Sequence, residues 1–491
     1  MRNEAAYIYQ RLASRIESQI LDGVYRTGDK LPSIRTLCSS ESVSHASVMH
    51  ALELLEMKGF VEARPKSGYY VKSISPLSGV SDRPTRRSGF APLSIDVSDV
   101  IESVFQRVNR PDVVNFGFAL PHPSLTPYEK LSKAVASASR NDPELFGRYP
   151  QCSGIPELKR QLAVRLSLSG CHVDPEELIV TVGATEAMNL ALQVVAKPGD
   201  TVVVESPCYF GILEMLERLS LRALPIPSSS EHGLNIEMLA QALDVHSVKA
   251  VVLTPSFSNP NGSCMRDDRR KSLLQLLDDH GVSLIEDDVY GDLYFGKTRP
   301  RPIKAYDQEG TVLYCSSFSK SIAPGMRVGW LAPGGHFEKA NKIKRTQTIG
   351  TPPIIQYGLA QFLASSSIER HFRSLRKQLK QQVESIHHAV LSAFPEGTSV
   401  SKPQGGFVIW IELPETVNAL ELHRRALANG ISVIPGSMFA IGGTQENRIR
   451  ISCGNPFGQR SRDAIRTLGS LVRELSVEAL SAVPLRKRAR N

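Results

Sequence analysis

The sequence predicts a multidomain protein: a small helix-turn-helix head closed by a β-hairpin wing, a linker, and a large α/β body on a mostly parallel sheet. Three observations carry this. The chain has 491 residues, more than the ~100–200 of a single domain. Its first seventy residues read as short helices followed by two alternating strands. Beyond a stretch rich in Ser, Pro and Gly, short apolar runs alternate with helix-length amphipathic segments, the pattern of a sheet covered on both faces. With 41% hydrophobic and 22% charged residues the composition is that of ordinary globular protein. No run approaches the ~18 continuous apolar residues of a membrane helix. The N-terminus lacks a basic-then-apolar signal pattern, and the seven cysteines are scattered without a CxxC pair, so a reducing cytoplasm is expected. The net charge of +9 permits nucleic acid as a partner without demanding it.

In the head, Ile8, Leu12, Ile16 and Ile20 recur every four residues as one stripe of a helix that Asp22-Gly23 ends. Gly28-Asp-Lys-Leu-Pro-Ser33 reads as a turn and helix cap. A short helix is expected over 34–39, and Val43-Ser44 caps a second that runs to Met57 before Gly59 stops it. Two strands, 60–64 and 69–72, alternate around Pro65-Lys-Ser-Gly68 as a wing. These elements set the head at 1–73, a linker at 74–93, the body at 94–485 and a basic tail at 486–491. The head holds ten Lys/Arg against eight Asp/Glu, a balance of only +2.

In the body, strands are expected at 178–182, 201–204, 250–254, 282–285 and 312–315. Ligands of such sheets bind at the carboxyl edge, so the residues following each strand matter most. Gly183-Ala-Thr-Glu-Ala-Met opens a helix whose amides, with the Thr185 hydroxyl, would face an anion such as phosphate. The other strand ends carry Glu205-Ser-Pro-Cys-Tyr209, Ser258-Asn-Pro-Asn-Gly262, Glu286-Asp-Asp-Val-Tyr290 and a long segment from Ser316 to Trp330 that contains Lys320. No His or Cys set has zinc spacing, so no metal is expected.

Taken with its turn and wing, the run from Ile20 to Arg35, with Val43-Ser44 and Ala63-Arg-Pro-Lys-Ser-Gly68, resembles the winged helix-turn-helix of the GntR regulators. The resemblance implies that Arg35, the start of the recognition helix at Ser44, His45, Ser47 and His50, and the wing tip at Lys66 and Ser67 meet a double-stranded DNA operator. His45 and Met49 stand where family members often carry arginines, so weak affinity per head, offset by dimerisation, is expected.

From about 110 to 475 the chain resembles the fold-type I pyridoxal-phosphate enzymes, specifically the class I/II aminotransferases. By that resemblance Lys320 forms the internal aldimine with pyridoxal 5'-phosphate, because only an amine can condense with the aldehyde and be displaced by another amine. Asp287 holds the pyridine nitrogen protonated, Tyr290 and Asn259 bond the phenolic oxygen, and Tyr209 stacks on the ring. Ser317, Ser319, Arg327, Gly183, Ala184 and Thr185 form the phosphate cup. Tyr149 is lent to the partner subunit's phosphate, and Arg450, preferred over Arg448, grips an effector carboxylate. Asp288 is expected to be a helix or turn residue.

The pairing of such a head with such a body is similar to the MocR subfamily. It implies a transcription regulator that senses pyridoxal phosphate and an amino acid or amine, as a homodimer. Two alternatives stay open: an active aminotransferase carrying a DNA-binding head, and a regulator that uses the body only as a dimerisation scaffold. The effector, the operator, the sign of regulation and the occurrence of a full transamination cycle are not written in the sequence.

Overall fold

The computed structural model describes residues 28–41, 43–57, 60–64, 67–71, 112–442 and 444–481, together with Tyr9, Leu12, Ala13, Arg15, Ile16, Gln19, Ile20 and Tyr25. Ile8, Lys66, the expected linker and the basic tail lie outside the described residues. The chain divides into two compact units, Met1–Ser88 and Gly89–Asn491.

In the first unit, Leu12, Ile16 and Ile20 are buried as the four-residue stripe requires, against Val48, Leu52 and Leu55. Helices Ile34–Glu41 and His45–Met57 follow. Each starts on a serine: Ser33 Oγ accepts from Thr36 N at 3.1 Å and Ser44 Oγ from Ser47 N at 3.2 Å, satisfying amides that have no partner within the helix. Strands β1 (Val61–Arg64) and β2 (Gly68–Val71) pair antiparallel, Val61 opposite Val71 and Arg64 opposite Gly68, with Gly68 at φ +116° where a side chain would be strained. Gly28 N and Leu31 N donate to Val71 O and Tyr69 O, so the turn before the first of these helices is tied to the wing.

Among the described residues the first strand of the second unit is β3 (Val114–Asn115), and its large sheet is built from β4 (Ile179–Thr181), β5 (Thr201–Ser206), β6 (Arg222–Ser229), β7 (Gly233–Leu234), β8 (Val248–Leu253), β9 (Ser283–Asp287), β10 (Val312–Ser317) and β11 (Gly329–Ala332). The order across the sheet is β4-β11-β10-β9-β8-β5-β6-β7. The run β6-β5-β8-β9-β10 is parallel throughout, while β11 is antiparallel to both its neighbours and β7 to β6. The apolar runs are continuous because both faces are covered. Val202 and Val204 pack under helices Ala184–Val195 and Phe210–Arg218, and Val203, between them, packs on the other side with Leu239 and Leu273. The five expected strands are all present; β6, β7 and β11 were not anticipated. Pro225 and Pro227 argue against a strand by sequence, but β7 covers only Ser228 and Ser229 of β6, and the rest of that edge needs no donors.

A smaller lobe follows: β12 (Ser399–Val400), β13 (Val408–Glu412), β15 (Ile434–Pro435) and β16 (Arg448–Ser452) form an antiparallel sheet ordered β12-β13-β16-β15. β14 (Ile431–Ser432) pairs in parallel with β3. Helices Ile368–Ala393, Ala419–Ala428 and Gln459–Ser481 share a core with this sheet.

One buried cation organises the β8–β9 connection. Arg270 is fully buried and donates to the carbonyls of Met265, Arg301 and Pro255, each at 2.8 Å, which fixes the loop carrying Asn259. The charge of Arg270 faces Glu286, whose carboxyl accepts from Ile303 N and Lys304 N and is pushed up to about 7, chiefly by burial. All seven cysteines are free, and no described helix is long and apolar enough to cross a membrane.

Candidate functional site

A cavity of about 790 Å³ opens where β4, β5, β8, β9 and β10 end. Ala184, Thr185, Tyr209, Asn259, Asp287, Tyr290, Ser317, Ser319, Lys320 and Arg327 all line it. These ten come from five separate loops, brought together because parallel strands deliver all their carboxyl ends to one edge.

One end of the cavity is built for an anion. Gly183, at φ +80°, precedes helix Ala184–Val195, whose first turn has no side-chain cap. A Cβ on Gly183 would collide with Arg327 Nη2, so only glycine lets this guanidinium lie against the helix start. Arg327 itself adopts the left-handed region at φ 52°, ψ 47°, a strained conformation held by its own bonds: Nη1 donates to Ser319 Oγ at 3.2 Å and Nη2 to Val182 O at 3.3 Å. Ser317 Oγ accepts from Ser319 N at 3.4 Å.

The middle holds the titratable groups. Lys320 Nζ donates to Ala119 O at 2.8 Å. Burial and the positive charge of Arg450 lower its pKa from 10.5 to about 8, against the opposing pull of Asp287. Attack on an aldehyde needs the unprotonated amine, so a lowered pKa makes the lysine competent at lower pH. Capture of pyridoxal phosphate by cofactor-free protein is therefore expected to accelerate from about pH 7 to 9, with a midpoint near 8. Stopped-flow absorbance across that range checks this, and a midpoint near 10.5 would contradict it.

Asp287 is buried and its Oδ1 has no hydrogen-bond partner among the described residues; burial and then Asp288 push its carboxyl up to about 7. Asp288 does something different: its Oδ2 accepts from Arg299 Nη2 at 2.5 Å and Tyr314 OH at 2.8 Å, a buried ion pair behind the sheet edge. Tyr290 hydrogen-bonds Asn259, packs edge-on to Phe407 and has its phenol pushed up by burial. Burial likewise pushes the Tyr209 phenol up to about 12.

Arg450, on β16, is buried beside the cavity and not among its lining residues, and reaches it through Asn259, which lines it. Its Nη1 donates to Asn259 Oδ1 at 2.9 Å, its Nη2 donates to Gly117 O, and its plane lies over the Phe439 ring at 5.3 Å. Nε has no partner among the described residues, and burial lowers the guanidinium pKa to about 10. Arg448, on the same strand face, is occupied by Glu412 at 3.0 Å and by Gln445. Tyr149 does not reach the cavity of its own chain and is 85% exposed, with Phe146 exposed nearby in sequence.

Two groups at the site escaped sequence reasoning, the carbonyls of Gly117 and Ala119. Backbone acceptors leave no residue signature, and only the position of 117–120 across the pocket, with Phe118 and Leu120 lining it, reveals them.

In the head, Arg35, Ser44, His45 and His50 are exposed and Ser47 is half-buried. The His50 ring lies edge-on to Tyr9 at 5.8 Å. The wing holds a cluster that was not anticipated around Tyr70: Arg64 lies 4.3 Å from the ring centroid, Lys30 lies 6.0 Å from it, and the Tyr70 hydroxyl pairs with Ser67 Oγ at 2.7 Å.

Fold and site together define a winged-helix head on an aminotransferase-type body. Residues 8–71 match the family described as bacterial regulatory proteins, gntR family, and residues 120–460 match aminotransferase class I and II. The chain is 37% identical over 469 residues to the uncharacterized HTH-type transcriptional regulator YdcR of Escherichia coli (strain K12), covering 95% of this chain and 99% of that one. It is 35% identical over 470 residues to YjiR, an uncharacterized HTH-type transcriptional regulator of the same strain, covering 94% and 98%. Among solved structures, LysN, the alpha-aminoadipate aminotransferase of Thermus thermophilus complexed with N-(5'-phosphopyridoxyl)-L-leucine, matches at TM-score 0.70 and 27% identity, covering 79% of this chain and 96% of that one. The chain belongs to the MocR-type GntR transcriptional regulators, in which a helix-turn-helix head is joined to a class I/II aminotransferase domain.

Pyridoxal phosphate is the cofactor of this body, and the residues present fit it. The unpartnered buried Asp287 Oδ1 awaits a donor, and the cradle at Gly183 and Arg327 suits a dianion. Lys320 brings a primary amine to the cavity lining.

Proposed function

We propose that the body senses an amino acid through its amine and carboxylate and passes the result to DNA-bound heads. The observation that carries this is the buried Arg450, with Nε unpartnered among the described residues, at the same site as Lys320. A buried cation is costly unless an anion completes it, and Nε together with the two bonded amines forms a fork that a carboxylate matches.

When bound, the cofactor supplies an aldehyde that primary amines capture reversibly. Lys320 would anchor it, and Asp287 Oδ1 would accept a hydrogen bond from the ring nitrogen and keep it protonated. Tyr290 and Asn259 would donate to the phenolic oxygen, and Tyr209 would cover the ring and keep water out. Gly183, Ala184, Thr185, Ser317, Ser319 and Arg327 would hold the phosphate. Arg450 orients the effector carboxylate, and an effector without one loses that clamp. The exposed Tyr149 completes the partner subunit's phosphate site in a homodimer. We further assign the protein to the cytoplasm, with the head at 1–73, linker at 74–93 and body at 94–485.

At the DNA, the start of helix His45–Met57 enters the major groove with Ser44, His45, Ser47 and His50, while Arg35, Lys66 and Ser67 meet the backbone. Replacing Arg35 with Ala is expected to weaken duplex binding several-fold and to lower the log-log salt slope by about 1. Fluorescence anisotropy over a salt series measures both, and unchanged values would place the DNA face elsewhere. Steady-state turnover with an amino-acid panel and a keto-acid acceptor separates sensing from catalysis.

A further inference from the structure

Helix Ile368–Ala393 buries Phe372, Leu375, Leu379, Val383, Ile386 and Val390 along one side. On another side Arg370, Arg373, Lys377 and Lys380 recur at i, i+3, i+7 and i+10, all exposed, so they form one stripe. Exposed helical cations ordinarily alternate with carboxylates at i+4. Here Arg370, Arg373 and Lys377 make no ion pair or hydrogen bond among the described residues. Of the two acids of the helix, Glu369, four residues before Arg373, pairs instead with Arg165 at 3.4 Å, and Glu384 lies 3.9 Å from Lys380, so among the described residues neither forms an ion pair with these three. Toward its C-terminal end the helix borders a groove shared with helix Gln459–Ser481. That groove is lined by His388, Arg462, Arg466 and Arg473; Arg466 pairs with Asp463 at 3.1 Å, and no carboxylate is among the lining residues.

We propose that this basic face of the body is a second DNA-contacting surface, binding the phosphate backbone of duplex DNA that the head has engaged. The proposal rests on the reading of the chain as a DNA-binding regulator. Charge complementarity and tethering favour this occupant. The head's balance is only +2, which leaves room for further phosphate contacts. A surface on the same chain as a bound head meets the same duplex at a raised effective concentration, so even weak contacts engage. From Arg370 to Lys380 the stripe rises ten residue steps, about 15 Å, close to four phosphate steps of ~3.4 Å along one strand. Its contacts carry no base information and add affinity on flanking DNA of any sequence.

The test uses the full-length, cofactor-loaded protein with Arg370, Arg373 and Lys377 all replaced by Glu. Binding is measured to two mixed-sequence duplexes, one of about 20 bp, room for two half-sites a turn apart, and one of about 60 bp. The wild type is expected to bind the longer duplex with a steeper salt dependence. The triple variant should lose roughly tenfold or more on the longer duplex and have its log-log salt slope reduced by about 2.7, three phosphates at 0.9 each. Binding to the shorter duplex should change less than about twofold, which keeps failure of this surface distinct from failure of the head. Replacing the two arginines with Lys should preserve the wild-type behaviour, since charge and not packing is at work. An unaltered visible cofactor band shows that the body remains folded. Equal affinity and slope for wild type and triple variant on the long duplex would overturn the proposal and reassign the face to an acidic protein or a membrane. An equal loss on both duplexes would overturn it as well.

Discussion

Lys320→Ala is expected to purify without the visible absorption band of the lysine-bound cofactor, at pyridoxal phosphate concentrations that saturate the wild type. Its promoter output should no longer respond to amino acids. Among the residues that line the pocket, Lys320 is the one primary amine, and Asp287 and Arg450 act on its charge in opposite directions. The phosphate cup and Arg327 are untouched by the substitution, so weak reversible binding should persist. Thermal stability separates the two contributions. Saturating ligand at a hundred times Kd stabilises a protein by about 2.7 kcal/mol, and the variant should gain only a fraction of that at equal cofactor. Normal regulation by a variant that has lost the band would establish instead that the body serves only to hold two heads together.

Arg450→Met is expected to split amino acids from simple amines. Methionine keeps much of the volume but removes the fork, so affinity for effectors bearing an α-carboxylate should fall roughly 30- to 1000-fold, or about 2–4 kcal/mol. Amines lacking the carboxylate should titrate the cofactor band as before. The substitution also leaves Asn259 Oδ1 and Gly117 O without their donor, so the unliganded spectrum is needed as a control for the Tyr290–Asn259 contact. A parallel loss for both ligand classes would place the carboxylate grip elsewhere and make Arg450 a structural cation.

Much of this site could be read from residue order because the chemistry demands particular side chains. An amine, a buried carboxylate and a cation beside a glycine-led helix start cannot be exchanged for bland residues, and strand ends are where a parallel sheet puts them. The head was legible for a related reason: serine caps, a glycine turn and a four-residue apolar stripe are local signals. What escaped detection depends on distant partners. Arg270 looks like one more solvated cation on a charge-rich helix, yet three carbonyls claim it. Asp288 was expected to be a helix or turn residue; its ion pair with Arg299 and bond to Tyr314 join residues 11 and 26 positions away. β6 hides behind two prolines that are tolerated only because its outer edge is mostly unpaired. The Tyr70 cluster unites Lys30 with the wing through a tie between residues 28–31 and β2 that no periodicity announces.

The two unanticipated carbonyls have a mechanical consequence. Gly117 O accepts from Arg450 and Ala119 O from Lys320, so the two side chains that a carboxylate and an aldehyde would claim are both moored to one short stretch of backbone. An occupant that engaged both would free that stretch at two nearby points, just beyond β3. It would act first on a segment that β3 ties to β14, and not on the strands of the large sheet.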